Sequence, residues 1–180
     1  MSKGQATDYG GVAKLVHWLA ALCVLLAWLL GIAGDAFPKS LEAKALFVHM
    51  SLGLAILALL VLRIGAQLVR PAPELPTALG GWSEWLAVAT QFLLYGLMLA
   101  AIASGVALEF ARGQPLPLFG LGEIASPWVR NRAFVHRVKE VHESLAHALL
   151  LLASLHAAAA LFHHFILKDR TLVRMLPRRH

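Results

Sequence analysis

Four long apolar runs dominate the chain, at about Leu15–Ala33, Leu46–Leu62, Leu86–Leu108 and Leu145–Leu167. Each is close to the roughly 17–25 residues that a helix needs to cross a bilayer. A helix satisfies its own backbone hydrogen bonds in hydrocarbon, so four spanning helices are the economical reading. Chain breakers fall between the runs: Asp35 and Pro38, then Pro71, Pro73 and Pro76, then Pro115, Pro117 and Pro127. The pattern predicts one all-α domain over residues 1–180, an integral membrane four-helix bundle with helices at about 14–34, 46–69, 83–108 and 138–167. No internal repeat, low-complexity tract or soluble second domain is visible. The first run reads as a retained helix rather than a cleaved leader, because it is long, carries His17 and lacks a small-x-small site.

Composition agrees with that pattern. Hydrophobic residues make up 59% of the chain and charged residues 14%, with a mean hydropathy of +0.69. Such values lie outside the range of soluble globular domains. The net charge of +6 does not point to nucleic acid here, because basic residues flank membrane spans and contact anionic lipid. The dense basic tail Lys168–Arg179 favours a plasma-membrane protein with both termini in the cytoplasm. Trp18, Trp82 and Trp85 sit near span ends, where an interfacial aromatic belt belongs.

Against this apolar background stand nine histidines. An ionisable group in lipid is costly and normally faces the bundle interior, where it has a partner or a task. His142 and His156 lie 14 residues apart, about 40° short of four full turns, so they share a helix face at levels roughly 21 Å apart. His163 extends the same stripe by seven residues. His17 lies near the start of the first span and His49 near the start of the second, which runs the other way. Those two are therefore also separated by roughly 20 Å across the bilayer. His17 can meet His156 at one level, and His49 can meet His142 at the other. Two stacked bis-histidine pairs are what two haems require. Four histidines at matched depths are hard to explain as isolated core residues. Gly53 and the run Ala157–Ala160 offer small side chains beside these levels, suited to a flat macrocycle or simply to helix packing. His147 lies off the stripe and reads as polar packing or a lipid-facing residue; His136 and His180 read as solvated.

Cys23 is the sole cysteine, so no intramolecular disulfide can form. There is no C-x-x-C-H segment for covalent haem, so any haem is b-type, held by axial ligands and packing. Cys23 itself reads as a small apolar residue.

These residues give the chain a specific likeness. Val16-His17-Trp18-Leu19, Val48-His49 with Gly53, and Val61-Leu62-Arg63 before the Pro71/Pro73 loop are its first points. His142-Glu143-Ser144-Leu145-Ala146 and His156-Ala157-Ala158-Ala159-Ala160 follow in the last helix. His163-His164-Phe165, Lys168-Asp169-Arg170-Thr171-Leu172 and Arg174-Met175 complete it. Over almost its whole length the chain resembles the bacterial cytochrome b561 family of di-haem transmembrane cytochromes, closest to its short superoxide-oxidase members. The resemblance implies two haem b groups with His17, His49, His142 and His156 as iron ligands. It also implies electron transfer from superoxide outside the membrane to ubiquinone near the cytoplasmic side. His147 is a departure, since such relatives often carry a residue there that is no ligand.

Bis-histidine haem has no open axial position, which suits electron transfer rather than oxygen binding. On the expected outer side, Arg130, Arg132, Arg137 and Lys139 crowd ahead of His142, partly offset by Glu140 and Glu143. They can form an anion funnel that steers superoxide, or a solvated loop. The stretch Glu109–Arg137 leaves room for a lid. On the inner side, His163, Lys168, Asp169 and Trp18 can line a quinone site, with His163 relaying a proton; the alternative is a wet helix end or a hydrogen bond to a propionate. Arg63 can pair with a haem propionate or snorkel to the interface. Two other functions remain open. One is an electron-transfer subunit serving a dehydrogenase or hydrogenase partner. The other is a histidine-lined metal transporter, disfavoured because the spans hold almost no carboxylates.

Overall fold

In the computed structural model, residues 9–69 and 81–176 are described. Four helices carry the fold: α1 (Gly11–Ile32), α2 (Lys39–Val69), α3 (Gly81–Ala111) and α4 (Arg132–Phe165). All four are long and apolar enough to cross a membrane. The only strands among the described residues are a two-residue pair between α3 and α4, β1 (Leu116–Pro117) and β2 (Glu123–Ile124). The architecture is an all-α membrane bundle. Pro71, Pro73, Pro76, Lys3, Arg70, Arg178, Arg179 and His180 lie outside the described residues.

The helices run past the boundaries expected from hydropathy. Helix α2 starts at Lys39 rather than near 46, and α4 at Arg132 rather than near 138. Hydropathy marks the hydrocarbon layer, whereas backbone hydrogen bonding continues into water. Helix α2 has 31 residues, roughly 46 Å at 1.5 Å per residue, against a hydrocarbon core of about 30 Å. At α4, Asn131 fixes the start: its side chain accepts a hydrogen bond from the Phe134 amide at 3.1 Å. The connection allotted to Glu109–Arg137 is therefore shorter, since α3 continues to Ala111 and α4 begins at Arg132. Its hairpin turns through Phe119 and Gly120 at positive φ (54° and 78°). Gly120 lies against the Phe47 ring of α2, where a Cβ would meet Cζ at 3.6 Å.

Helix α1 packs closely on α2, and α3 on α4, while contacts between these two hairpins are sparse. Few of the described side chains are buried; Val16, Ala27, Ile56, Leu60, Ala101, Leu108 and Leu149 are among them. That is expected of a small bundle whose outer surface meets lipid. The two ends of the chain come together: Lys14 Nζ donates to the Leu176 carbonyl and Trp18 Nε1 to the Met175 carbonyl, both at 2.9 Å. The segment after α4 thus folds back over the start of α1. We call this the terminal end of the bundle, and the β1–β2 side the hairpin end.

Candidate functional site

The seam between the two helical hairpins is crossed by polar and aromatic side chains at three depths. Near the terminal end, His17 of α1 faces His156 of α4 with ring centroids 6.4 Å apart. Near the hairpin end, His49 of α2 faces His142 of α4 at 6.0 Å. Between them, Trp28 of α1 meets His147 of α4 edge-on at 6.1 Å. The 14-residue register of α4 puts His142 and His156 on one face, while opposite chain directions bring His17 and His49 to matching depths.

The spacing of both ring pairs suits a metal between them. Metal–imidazole bonds are about 2 Å long, so two imidazoles on opposite sides of one ion have centroids about 6 Å apart. Among the described residues, no group of three or more His, Cys, Asp or Glu side chains comes together as a metal site. Two protein ligands per centre fit a macrocycle that supplies the remaining donors.

The hairpin-end pair is held by second contacts. His49 Nδ1 donates to the Ala27 carbonyl at 2.8 Å. His142 Nδ1 donates to the Ala101 carbonyl at 2.9 Å and lies 3.1 Å from Ser104 Oγ, whose hydroxyl donates to the same carbonyl. A carbonyl can only accept, so each ring carries its proton on Nδ1. Nε2 keeps the lone pair that a metal needs. Sequence reading missed these partners, because the signal is tertiary. A Cβ added at Gly53 would meet nothing within 4 Å, so this glycine makes no close helix contact. The glycines that abut the histidines are Gly31 and Gly105. An added Cβ would lie 3.5 Å from His49 Cε1 and 3.1 Å from His142 Cε1, respectively.

His147 is exposed; its Nδ1 donates back to the Glu143 carbonyl at 2.6 Å and its ring meets Trp28 edge-on. Cys23 is half-buried. At the hairpin end, Arg130, Arg132, Arg137 and Lys139 are all exposed. Lys139 is partly neutralised by Glu143 at 3.4 Å, and His136 by Glu140 at 3.5 Å when protonated.

At the terminal end, His163 Nδ1 meets Asp169 Oδ2 at 2.5 Å, and Asp169 Oδ1 accepts from the Thr171 amide at 2.8 Å. Lys168, exposed and at φ 55°, makes the turn that brings Asp169 back to His163. Burial pushes the Asp169 carboxyl up, but hydrogen bonds from His163 and Thr171 outweigh it and leave it below its ordinary range. A lowered carboxylate stabilises the fold above its unfolded pKa, about 3.9, and that support is lost as pH falls through the folded value. The His163–Asp169 contact therefore stays in place throughout the neutral range. Trp18 stands edge-on to His17 at 5.5 Å, but its indole N–H is committed to Met175 rather than open to a ligand.

The profile of the prokaryotic cytochrome b561 family matches residues 8–178. The chain belongs to this family. A "probable superoxide oxidase CybB" of Yersinia pestis is 35% identical over 167 residues, covering 91% of this chain and 93% of the relative. A cytochrome b562 of Cereibacter sphaeroides is 32% identical over 178 residues, covering 96% and 97%. A cytochrome b561 homolog of Escherichia coli K12 is 30% identical over 170 residues, covering 93% and 90%. This cytochrome b561 is thus a multi-pass bacterial membrane protein of an electron-transfer family that implies haem b. The paired imidazoles are a donor set that fits the group.

Proposed function

We propose that this cytochrome b561 is a superoxide oxidase that passes electrons through two haem b groups to ubiquinone. One haem would be ligated by His49 and His142, the other by His17 and His156. The reading is carried by the two imidazole pairs at opposite depths of one seam. Haem b with two histidine ligands supplies a one-electron carrier with no open iron position. Support for the donor comes from the 35% identical relative's name and from the exposed cations beside the His49/His142 level. In this reading the hairpin end faces outward, and the termini face the cytoplasm, where the dense basic tail favours them.

The balance is simple. Two superoxide anions each lose one electron and leave as dioxygen; ubiquinone takes two electrons and two protons. Arg130, Arg132, Arg137 and Lys139 raise the local concentration of the anion. At the terminal end, His163, its Nδ1 held by Asp169, keeps Nε2 for delivering protons to the quinone. Lys168 and Trp18, at the same end of the bundle, complete the acceptor site in this reading. Membrane lipid surrounds the bundle and supplies the quinone.

The direct test mixes the purified holoprotein with superoxide and ubiquinone and follows haem reduction and quinol formation. Quinol is expected, at a rate that falls about tenfold from low to high salt and in the double variant Arg130→Glu/Arg137→Glu, at unchanged haem content. Haems that stay oxidised with superoxide, but are reduced by a co-purified dehydrogenase or hydrogenase, would instead identify an electron-transfer subunit. Separately, Asp169→Asn is expected to slow quinol formation by roughly tenfold to a hundredfold while superoxide-driven haem reduction stays normal. Equal slowing of both steps would remove His163 from proton delivery.

A further inference from the structure

A cluster of polar side chains crosses the seam near the terminal end, between α2 and α3. Arg63 Nε donates to the Tyr95 hydroxyl at 2.6 Å. The Tyr95 hydroxyl lies 3.4 Å from Gln67 Oε1, and Gln91 Nε2 lies 3.4 Å from the same oxygen. All four side chains are half-buried, within helices that cross the membrane. A charged group in such a place is costly and implies a partner. Simple snorkelling does not describe it, because the guanidinium is turned toward α3, with its Nε–H on the Tyr95 hydroxyl.

Register explains where Arg63 points. It follows His49 by 14 residues, the interval that separates His142 from His156 on α4. It therefore shares the His49 face of α2, roughly 21 Å further along the axis, which is the level of His17 and His156. Lys14, a cation at the same end of the bundle, has its ammonium on the Leu176 carbonyl.

We propose that Arg63 clamps a propionate of the haem held between His17 and His156, with Tyr95, Gln67 and Gln91 as positioning residues. The proposal rests on the ligand reading given above. Haem b carries carboxylates and has no covalent tether here, so a carboxylate at this depth needs a cation. Tyr95 occupies the guanidinium Nε–H, which orients the two terminal nitrogens as the edge for bidentate carboxylate binding. Gln67 and Gln91 fix the Tyr95 hydroxyl in turn. Of the two arms of the seam at this depth, α1 and α4 supply imidazoles, whereas α2 and α3 supply the carboxylate clamp. The positive guanidinium, by offsetting the propionate charge, would favour the reduced haem, which has one positive charge less at iron.

The test is a spectroelectrochemical titration of the purified full-length holoprotein, with the His49→Ala variant identifying the step of the terminal-end haem. In Arg63→Gln that step is expected to move to lower potential. The reduced-to-oxidised ratio at fixed potential should fall about tenfold, equivalent to about 59 mV for one electron. The other step stays in place. Arg63→Lys keeps the charge and loses less. Tyr95→Phe, with haem content intact, moves the same step in the same direction by a smaller amount. Should Arg63→Gln shed the haem, Arg63→Lys and Tyr95→Phe decide the matter by the same shift. Unmoved potentials in variants that keep both haems overturn the clamp, as does movement of the His49/His142 step alone. Failure of the ligand reading is distinct: the unaltered protein would then lack two b-haem steps.

Discussion

Replacing His49 or His142 by alanine is expected to leave a folded protein with one haem instead of two, the survivor being that of His17 and His156. Replacing His17 or His156 is expected to do the reverse. The ring pairs sit at opposite depths, 6.0 Å and 6.4 Å across, with the Trp28–His147 layer between them. Each pair would supply both protein ligands of its haem, so removing one imidazole would leave that haem held by a single ligand and packing. The other site shares no ligand with it, so distant effects should be small. Reduced-minus-oxidised spectra with haem stoichiometry per chain check the result. The decisive comparison is between partners: His49→Ala and His142→Ala must delete the same spectral component. If His49→Ala and His156→Ala deleted the same one, the pairing would be wrong. The expected functional loss is complete, because either gap interrupts transfer across the bilayer.

Much of this arrangement was legible in the sequence because its governing distances run along helices. The interval from His142 to His156, and the chain directions of α1 and α2, fix face and depth from numbering alone. What numbering does not carry is contact between helices. The carbonyls of Ala27 and Ala101 that accept from His49 and His142 belong to residues with no chemical signature. Asp169 was visible beside Lys168, but its return to His163 depends on the positive φ of Lys168. Trp18 is similar: its place next to His17 is read from numbering, whereas its indole bond to the Met175 carbonyl depends on the folded tail. Hydropathy located the spans well and their ends poorly, since polar turns such as Lys39–Lys44 are helical without being apolar.

Gly105 gives the sharpest test of how those inter-helix contacts hold the hairpin-end site. Its missing side chain lets α3 approach the His142 ring: an added Cβ would lie 3.1 Å from Cε1 and 3.4 Å from Nδ1. The ring has little room to retreat, because Nδ1 is bonded to the Ala101 carbonyl at 2.9 Å, one turn earlier on the same helix. Gly105→Leu must therefore either swing the imidazole off that carbonyl or push α3 away from α4, along the closest helix pair in the bundle. Either movement removes the alignment that presents Nε2 across the seam to the His49 side. We expect Gly105→Leu to lose the His49/His142 haem as fully as His142→Ala does, with the other haem retained. At Gly31 the same geometry is looser, with 3.5 Å to His49 Cε1, an ordinary contact. Gly31→Ala should accordingly keep both haems, and its spectrum is the control. Retention of both haems in Gly105→Leu would mean that α3 does not set the His142 ring, and that the Ala101 and Ser104 contacts are incidental to ligation.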